Sequence, residues 1–120
     1  MESSKQICSF LKLIDEAHQL YEENYVEVNK MDKLTQDYLH DLELGDLTYN
    51  ERAKISTKLR NCRKERRKAK DIVTITKLIY DYVGEQEKAV NKLRQLLGAV
   101  RKEEKNQQSR HYIRKVDVDE

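Results

Sequence analysis

A seven-residue apolar repeat runs along most of this chain and constrains its fold more than any other feature. Ile7, Ile14, Tyr21, Val28, Thr35 and Leu42 fall at strict seven-residue intervals. Phe10/Leu11, Ala17/His18, Tyr25, Met31 and Tyr38/Leu39 stand one helical turn later. Such spacing paints an apolar seam down one face of a single long helix, expected over residues 5–44. The repeat resumes at Ile55, Cys62, Ala69, Thr76, Val83, Val90 and Leu97, with Leu59, Ile72, Ile79, Leu93 and Val100 completing the second seam.

The residues that β structure needs at its turns and edges are nearly missing: there is no proline and only three glycines in 120 residues. The β-branched cluster Ile72-Val73-Thr74-Ile75-Thr76 has the composition of a strand. The seven-residue phase passes through it unchanged and no turn residues bracket it, so helix is the reading. The fold class expected is all-α, a long antiparallel helical hairpin of coiled-coil type.

The hairpin turn is expected between residues 44 and 49. Gly45 offers a left-handed stop for the first helix. Thr48-Tyr49-Asn50-Glu51 has the hydroxyl and the carboxylate of a capping box for the second. A turn centred on residue 46 makes positions across the hairpin sum to about 92. That register sets residues 60–70 against 22–32, Cys8 near residue 84, Cys62 near residue 30, and Ile7 opposite Glu85.

The first helix therefore runs out near Gly84, while Val90, Leu93, Leu97 and Val100 still need cover. The chain either breaks at Gly84 and folds back as a third helix, closing a three-helix bundle, or pairs with a second copy, or docks on a partner. The expected elements are helices over 49–83 and 85–105, in one domain spanning residues 1–105. The polar stretch after Lys102 reads as a fraying end, and residues 106–120 as a flexible tail.

Charge is divided along the chain. Residues 1–48 carry 4 Lys/Arg against 11 Asp/Glu, and residues 49–116 carry 20 against 8. The basic part peaks at residues 60–70, with Arg60, Arg63, Lys64, Arg66, Arg67, Lys68 and Lys70 among eleven positions. Either these cations form a nucleic-acid face or they neutralise the first helix. In the register above they meet Glu22, Glu23, Glu27 and Asp32, so much of the charge is expected to hold the hairpin in place. The candidate nucleic-acid contacts are Arg60, Arg63, Lys64, Arg67 and Lys68, joined by Arg110, Tyr112, Arg114 and Lys115 of the tail. Cations beside Tyr112 and His111 suit backbone contact with stacking on a single strand. Tyr21, Tyr25, Tyr38 and Tyr80 follow the seams and are expected in the core with wet hydroxyls. Tyr25 is expected to face Arg66 and Arg67, where it can stack on a guanidinium.

Catalytic chemistry finds no purchase. Asp15-Glu16-Ala17-His18 spells a nucleotide-hydrolysis motif, yet the phosphate-cradling loop that such chemistry requires is absent from the sequence. Asp15 with His18, and Asp37 with His40, each put a carboxylate and an imidazole one turn apart. The two pairs lie 22 residues apart on one helix, about 33 Å at standard rise, too far to share a metal. Cys8 and Cys62 are too widely separated for an intramolecular disulfide. No enzyme activity, cofactor, metal or small-molecule substrate is expected. The apolar run Ile7–Ile14, interrupted by Ser9 and Lys12, is too short for a signal peptide or membrane span. A reducing cytoplasm is the expected compartment.

Lys58-Leu59, then Arg63-Lys64-Glu65-Arg66-Arg67-Lys68-Ala69-Lys70-Asp71, then Leu97-Gly98-Ala99-Val100-Arg101 and Arg110-His111-Tyr112 carry a resemblance. Over residues 47–116 the chain is similar to small helical proteins encoded by large bacteriophages of Gram-positive hosts. The resemblance implies a phage or prophage gene expressed in a bacterial host cytoplasm, and transfers no functional residue. On these grounds the first expectation is a non-enzymatic helical protein that binds and modulates a host protein. Val90, Leu93, Leu97 and Val100 are its candidate interface, and homo-oligomerisation is a further way to cover them. The alternative is a nucleic-acid-binding accessory protein that takes DNA or RNA on the basic face of the second helix and the tail.

Overall fold

The computed structural model describes residues 2–110, which form three helices: α1 (Ser3–Leu44), α2 (Tyr49–Glu85) and α3 (Glu87–Gln108). The two long helices follow the seven-residue seams. On α2 the residues withdrawn from solvent are 55, 59, 62, 66, 69, 73, 76, 79, 80 and 83; apart from Ile79 at the seam's edge they alternate in steps of four and three. The β-branched cluster is helical, with the Thr74 and Thr76 hydroxyls donating to the carbonyls of Lys70 and Ile72. Here the seam takes Val73, 6% exposed, while Ile72 lies on the flank. On α1 the corresponding seam runs through Ile14, Ala17, Tyr21, Asn24, Val28, Met31, Thr35, Tyr38 and Leu42. Tyr25, expected inside, is 53% exposed because the four–three alternation selects Asn24 at that turn. Tyr21, Tyr38 and Tyr80 are half-buried as expected.

Two units pack within themselves: Leu13–Glu85, and residues 2–12 with 86–110. In the first, α1 and α2 form the antiparallel hairpin. Its buried centre is Ile14, Ala17 and Met31 from α1 with Cys62, Ala69, Val73 and Thr76 from α2. Burying a side chain the size of Ile14, Met31 or Val73 contributes roughly 1.5–3 kcal/mol each. Cys62 donates its thiol to the Met31 carbonyl at 3.3 Å and lies 3.6 Å from Thr35 Oγ1.

The register differs from the expected one. Arg66 meets Asp32, Tyr80 stacks on His18 and Cys62 touches Thr35. Facing positions therefore sum to about 98 rather than 92, a shift of some six residues. The cause lies in the turn. Residues 45–48 are not helical, and an extended residue advances about 3.3 Å where a helical one advances about 1.5 Å. The loop thus carries the chain past the end of α1 before α2 starts back.

Gly45 ends α1, but no described glycine has a positive φ, so the left-handed stop is not used. Gly45 is needed for space: a Cβ there would lie 2.5 Å from the Asp41 carbonyl oxygen, which its own N–H contacts at 2.9 Å. Thr48 caps α2 by accepting the Glu51 N–H at 3.2 Å, and the Glu51 carboxylate accepts the Thr48 hydroxyl at 3.1 Å. The carboxylate thus bonds the capping side chain rather than the backbone N–H of a full capping box.

Gly84 is helical, and the break falls two residues later at Gln86 (φ −107°, ψ 25°). An isolated glycine weakens a helix without ending it when nothing downstream supplies a cap. α3 then runs to Gln108, three residues past the expected end at 105.

In the second unit α3 lies antiparallel to the opening turns of α1. Ser4 donates its N–H to Glu104 Oε2 at 3.3 Å. Val100 and Gln107 share a shallow cleft with Glu2 and Ser3, and Arg101 shares another with Ser4, Cys8 and Lys12. Ser4 is buried, and Val90, Leu93, Leu97 and Val100 are all half-buried. Folding back as a third helix, one of the three expected ways to cover this stripe, covers it in part. Cys8, expected near residue 84, belongs to this unit and shares the second cleft with Lys12 and Arg101.

Candidate nucleic-acid interface

Helical periodicity distributes the seven cations of residues 60–70 around α2. Arg66 occupies the seam and lies 26% exposed, its Nε donating to Asp32 Oδ1 at 2.5 Å. Lys68, on the back of the helix, contacts Glu65 at 3.2 Å. Arg60, Arg63, Arg67 and Lys70 follow one another at three- and four-residue steps along one flank, with Lys64 at its outer edge. All five are exposed, and none makes an ion pair with another described residue.

The six-residue shift explains why. In the expected register the basic run meets three glutamates and Asp32. In the structure it faces residues 28–38, where Asp32 and Asp37 are balanced by Lys30 and Lys33. Together the two facing stretches hold nine cations against three acids, a surplus of six positive charges over about 15 Å of hairpin. The expected pairing of much of this charge with α1 reduces to one ion pair, Arg66–Asp32, among the described residues.

Beside this belt lies an aromatic ladder that periodicity alone did not reveal. His18 stacks on Tyr80 at 5.0 Å, Tyr80 on Tyr21 at 4.5 Å, and Tyr21 meets Tyr25 at 6.0 Å. His18 Nε2 also lies 3.0 Å from Glu22, so its ring is engaged on two sides. The spacing of His18 and Tyr25, seven residues apart on one flank, carried the signal. A seam position for Tyr25, opposite Arg66 and Arg67, hides it. In the actual register Tyr25 stands level with Val73.

Among the other predicted contacts, Arg110 is exposed just past the end of α3, its N–H directed to the Gln107 carbonyl at 3.4 Å. Tyr112, Arg114 and Lys115 lie outside the described residues. Among the described residues, no group of three or more His, Cys, Asp and Glu is placed to hold a metal ion, and no helix is long and apolar enough to cross a membrane. The chain matches no family model, no curated protein and no solved structure.

Proposed function

We propose that this protein is a non-enzymatic nucleic-acid-binding protein that takes the phosphate backbone on the flank of α2 bearing Arg60, Arg63, Lys64, Arg67 and Lys70. The supporting observation is the pairing pattern: five of the seven cations stay exposed and unpaired among the described residues, opposite a stretch of α1 with no net charge. Exposed like charges on neighbouring turns repel one another and weaken a helix by a few tenths of a kcal/mol per pair. A polyanion relieves that repulsion and gains entropy from released counterions.

A salt titration with DNA and RNA oligonucleotides tests the reading. About five phosphate contacts give a slope of log K against log salt of about −3.5 to −4.5. Replacing Arg63, Arg67 and Lys70 with Ala reduces both the slope and the affinity. Absence of binding at low ionic strength sinks the proposal.

A second reading, modulation of a host protein by a phage-encoded helical adaptor, has a separate observation in its favour. Ile75 (64% exposed), Leu78 (73%) and Tyr82 (63%) leave apolar surface on α2, with Leu13 and Leu20 exposed on α1. Ile75→Glu and Leu78→Glu would abolish co-purification of an identified host protein under this reading, and would leave nucleic-acid affinity unchanged.

A further inference from the structure

We infer that the nucleic acid bound on this flank is single-stranded, with a base stacked on the exposed ring of Tyr25. The inference rests on the nucleic-acid reading and adds to it a strand type and a contact.

His18, Tyr25 and Asp32 are seven residues apart and share one flank of α1. The outer two reach across the hairpin, His18 to Tyr80 and Asp32 to Arg66. Tyr25, midway between them, is therefore level with Val73, midway between Arg66 and Tyr80. Two antiparallel helices are related by an approximate two-fold axis, so the equivalent positions of α2 lie on this same side. Those positions are Arg63, Lys70 and Lys77.

The cations on that side run Arg60, Arg63, Arg67, Lys70 and then Lys77. The step that would complete the stripe is the uncharged Thr74, whose hydroxyl is turned to the Lys70 carbonyl. Tyr25 stands across from that gap. The flank thus presents four cations, an aromatic face and a fifth cation along about 25 Å of helix.

Tyr25 is 53% exposed, while Tyr21 and Tyr80 behind it are half-buried. The ladder braces the ring from one side, at 6.0 Å from Tyr21, and leaves ring surface to solvent. A braced ring loses little conformational entropy when a base stacks on it. Duplex bases hide their faces from such a ring, whereas those of a single strand are free to stack, and cations then hold the flanking phosphates.

The chain contains no tryptophan, so Tyr25→Trp in the full-length protein introduces a single reporter indole. Titration at low salt with a 20-mer deoxyoligonucleotide, the same sequence as RNA, and their duplexes is expected to quench its emission with the single strands only. Quenching by one single strand and not the other identifies the sugar the site accepts, and either supports the inference. Tyr25→Ala is expected to lower single-strand affinity about 5- to 100-fold, following the usual worth of one stacked base. Duplex affinity and the salt slope stay unchanged, and Tyr25→Phe retains single-strand binding. Far-UV circular dichroism confirms that each variant remains helical. If Tyr25→Ala leaves single-strand affinity intact while Arg63→Ala and Arg67→Ala reduce it, stacking is refuted and the basic-face reading stands. If neither single strand nor duplex binds, both readings fail.

Discussion

Asp32 and Arg66, 34 residues apart in sequence, meet across the hairpin at 2.5 Å. Arg66 stands in a seam position that elsewhere on α2 is taken by Leu59, Val73 and Tyr80. Its guanidinium leaves the seam sideways to reach a carboxylate on the flank of α1. The aliphatic stem packs between the helices and the charged head stays at the edge of water. The pair also selects the register: a one-turn slip in either direction removes Asp32 from reach.

A double-mutant cycle on Asp32→Ala and Arg66→Ala is expected to return a coupling of about 0.5–1.5 kcal/mol by urea denaturation, between the values for exposed and buried pairs. Arg66→Leu combined with Asp32→Ala removes both charges and fills the seam, and should leave stability equal to or above that of the parent. A coupling near zero would remove the pair from any role in setting the register.

The three glycines separate by the space around them. A Cβ on Gly84 or Gly98 meets no atom within 4 Å, and both residues are helical. Gly84→Ala and Gly98→Ala should each stabilise the chain by roughly 0.5–1 kcal/mol. Gly45→Ala places a methyl 2.5 Å from the Asp41 carbonyl oxygen and should destabilise it. Thermal melts of the three variants check the signs. A loss at Gly84 would restore that glycine as the site of the break.

Much of the fold was legible because a seven-residue repeat has one interpretation in a chain without proline. The helices, their antiparallel order and the Thr48 cap all follow from local spacing. The register did not follow, because it depends on how far four non-helical residues carry the chain, and no side-chain pattern encodes that distance. The six-residue error then propagated to the site. It set Glu22, Glu23 and Glu27 opposite the basic run and made much of its charge look structurally occupied. Tyr25 failed differently, since two adjacent residues compete for each seam position and Asn24 took this one despite its polarity. Its amide accommodates there by donating to the Leu20 carbonyl at 2.8 Å.

The cap of α2 should be measurable by itself. Thr48→Ala removes the acceptor of the Glu51 N–H and is expected to cost about 1 kcal/mol. Thr48→Ser should retain most of that stability. Glu51→Gln keeps a side-chain acceptor for the Thr48 hydroxyl but loses the charge near the helix N-terminus, a loss of about 0.3–1 kcal/mol. Denaturant midpoints at constant slope distinguish the three.

The two cysteines provide a probe of each packing unit. Cys8 is half-buried beside Arg101, whereas Cys62 is 6% exposed in the hairpin seam. A thiol reagent in excess should modify Cys8 in the folded protein. Cys62 should react only through opening of the hairpin, at a rate that rises with denaturant toward the global unfolding limit. Arg66→Ala should speed Cys62 modification by the factor its equilibrium destabilisation predicts and leave Cys8 unchanged, because Cys62 is one turn from Arg66 and Cys8 lies in the other unit. Equal rates at both thiols in the parent protein would mean that the seam opens far more readily than its packing implies.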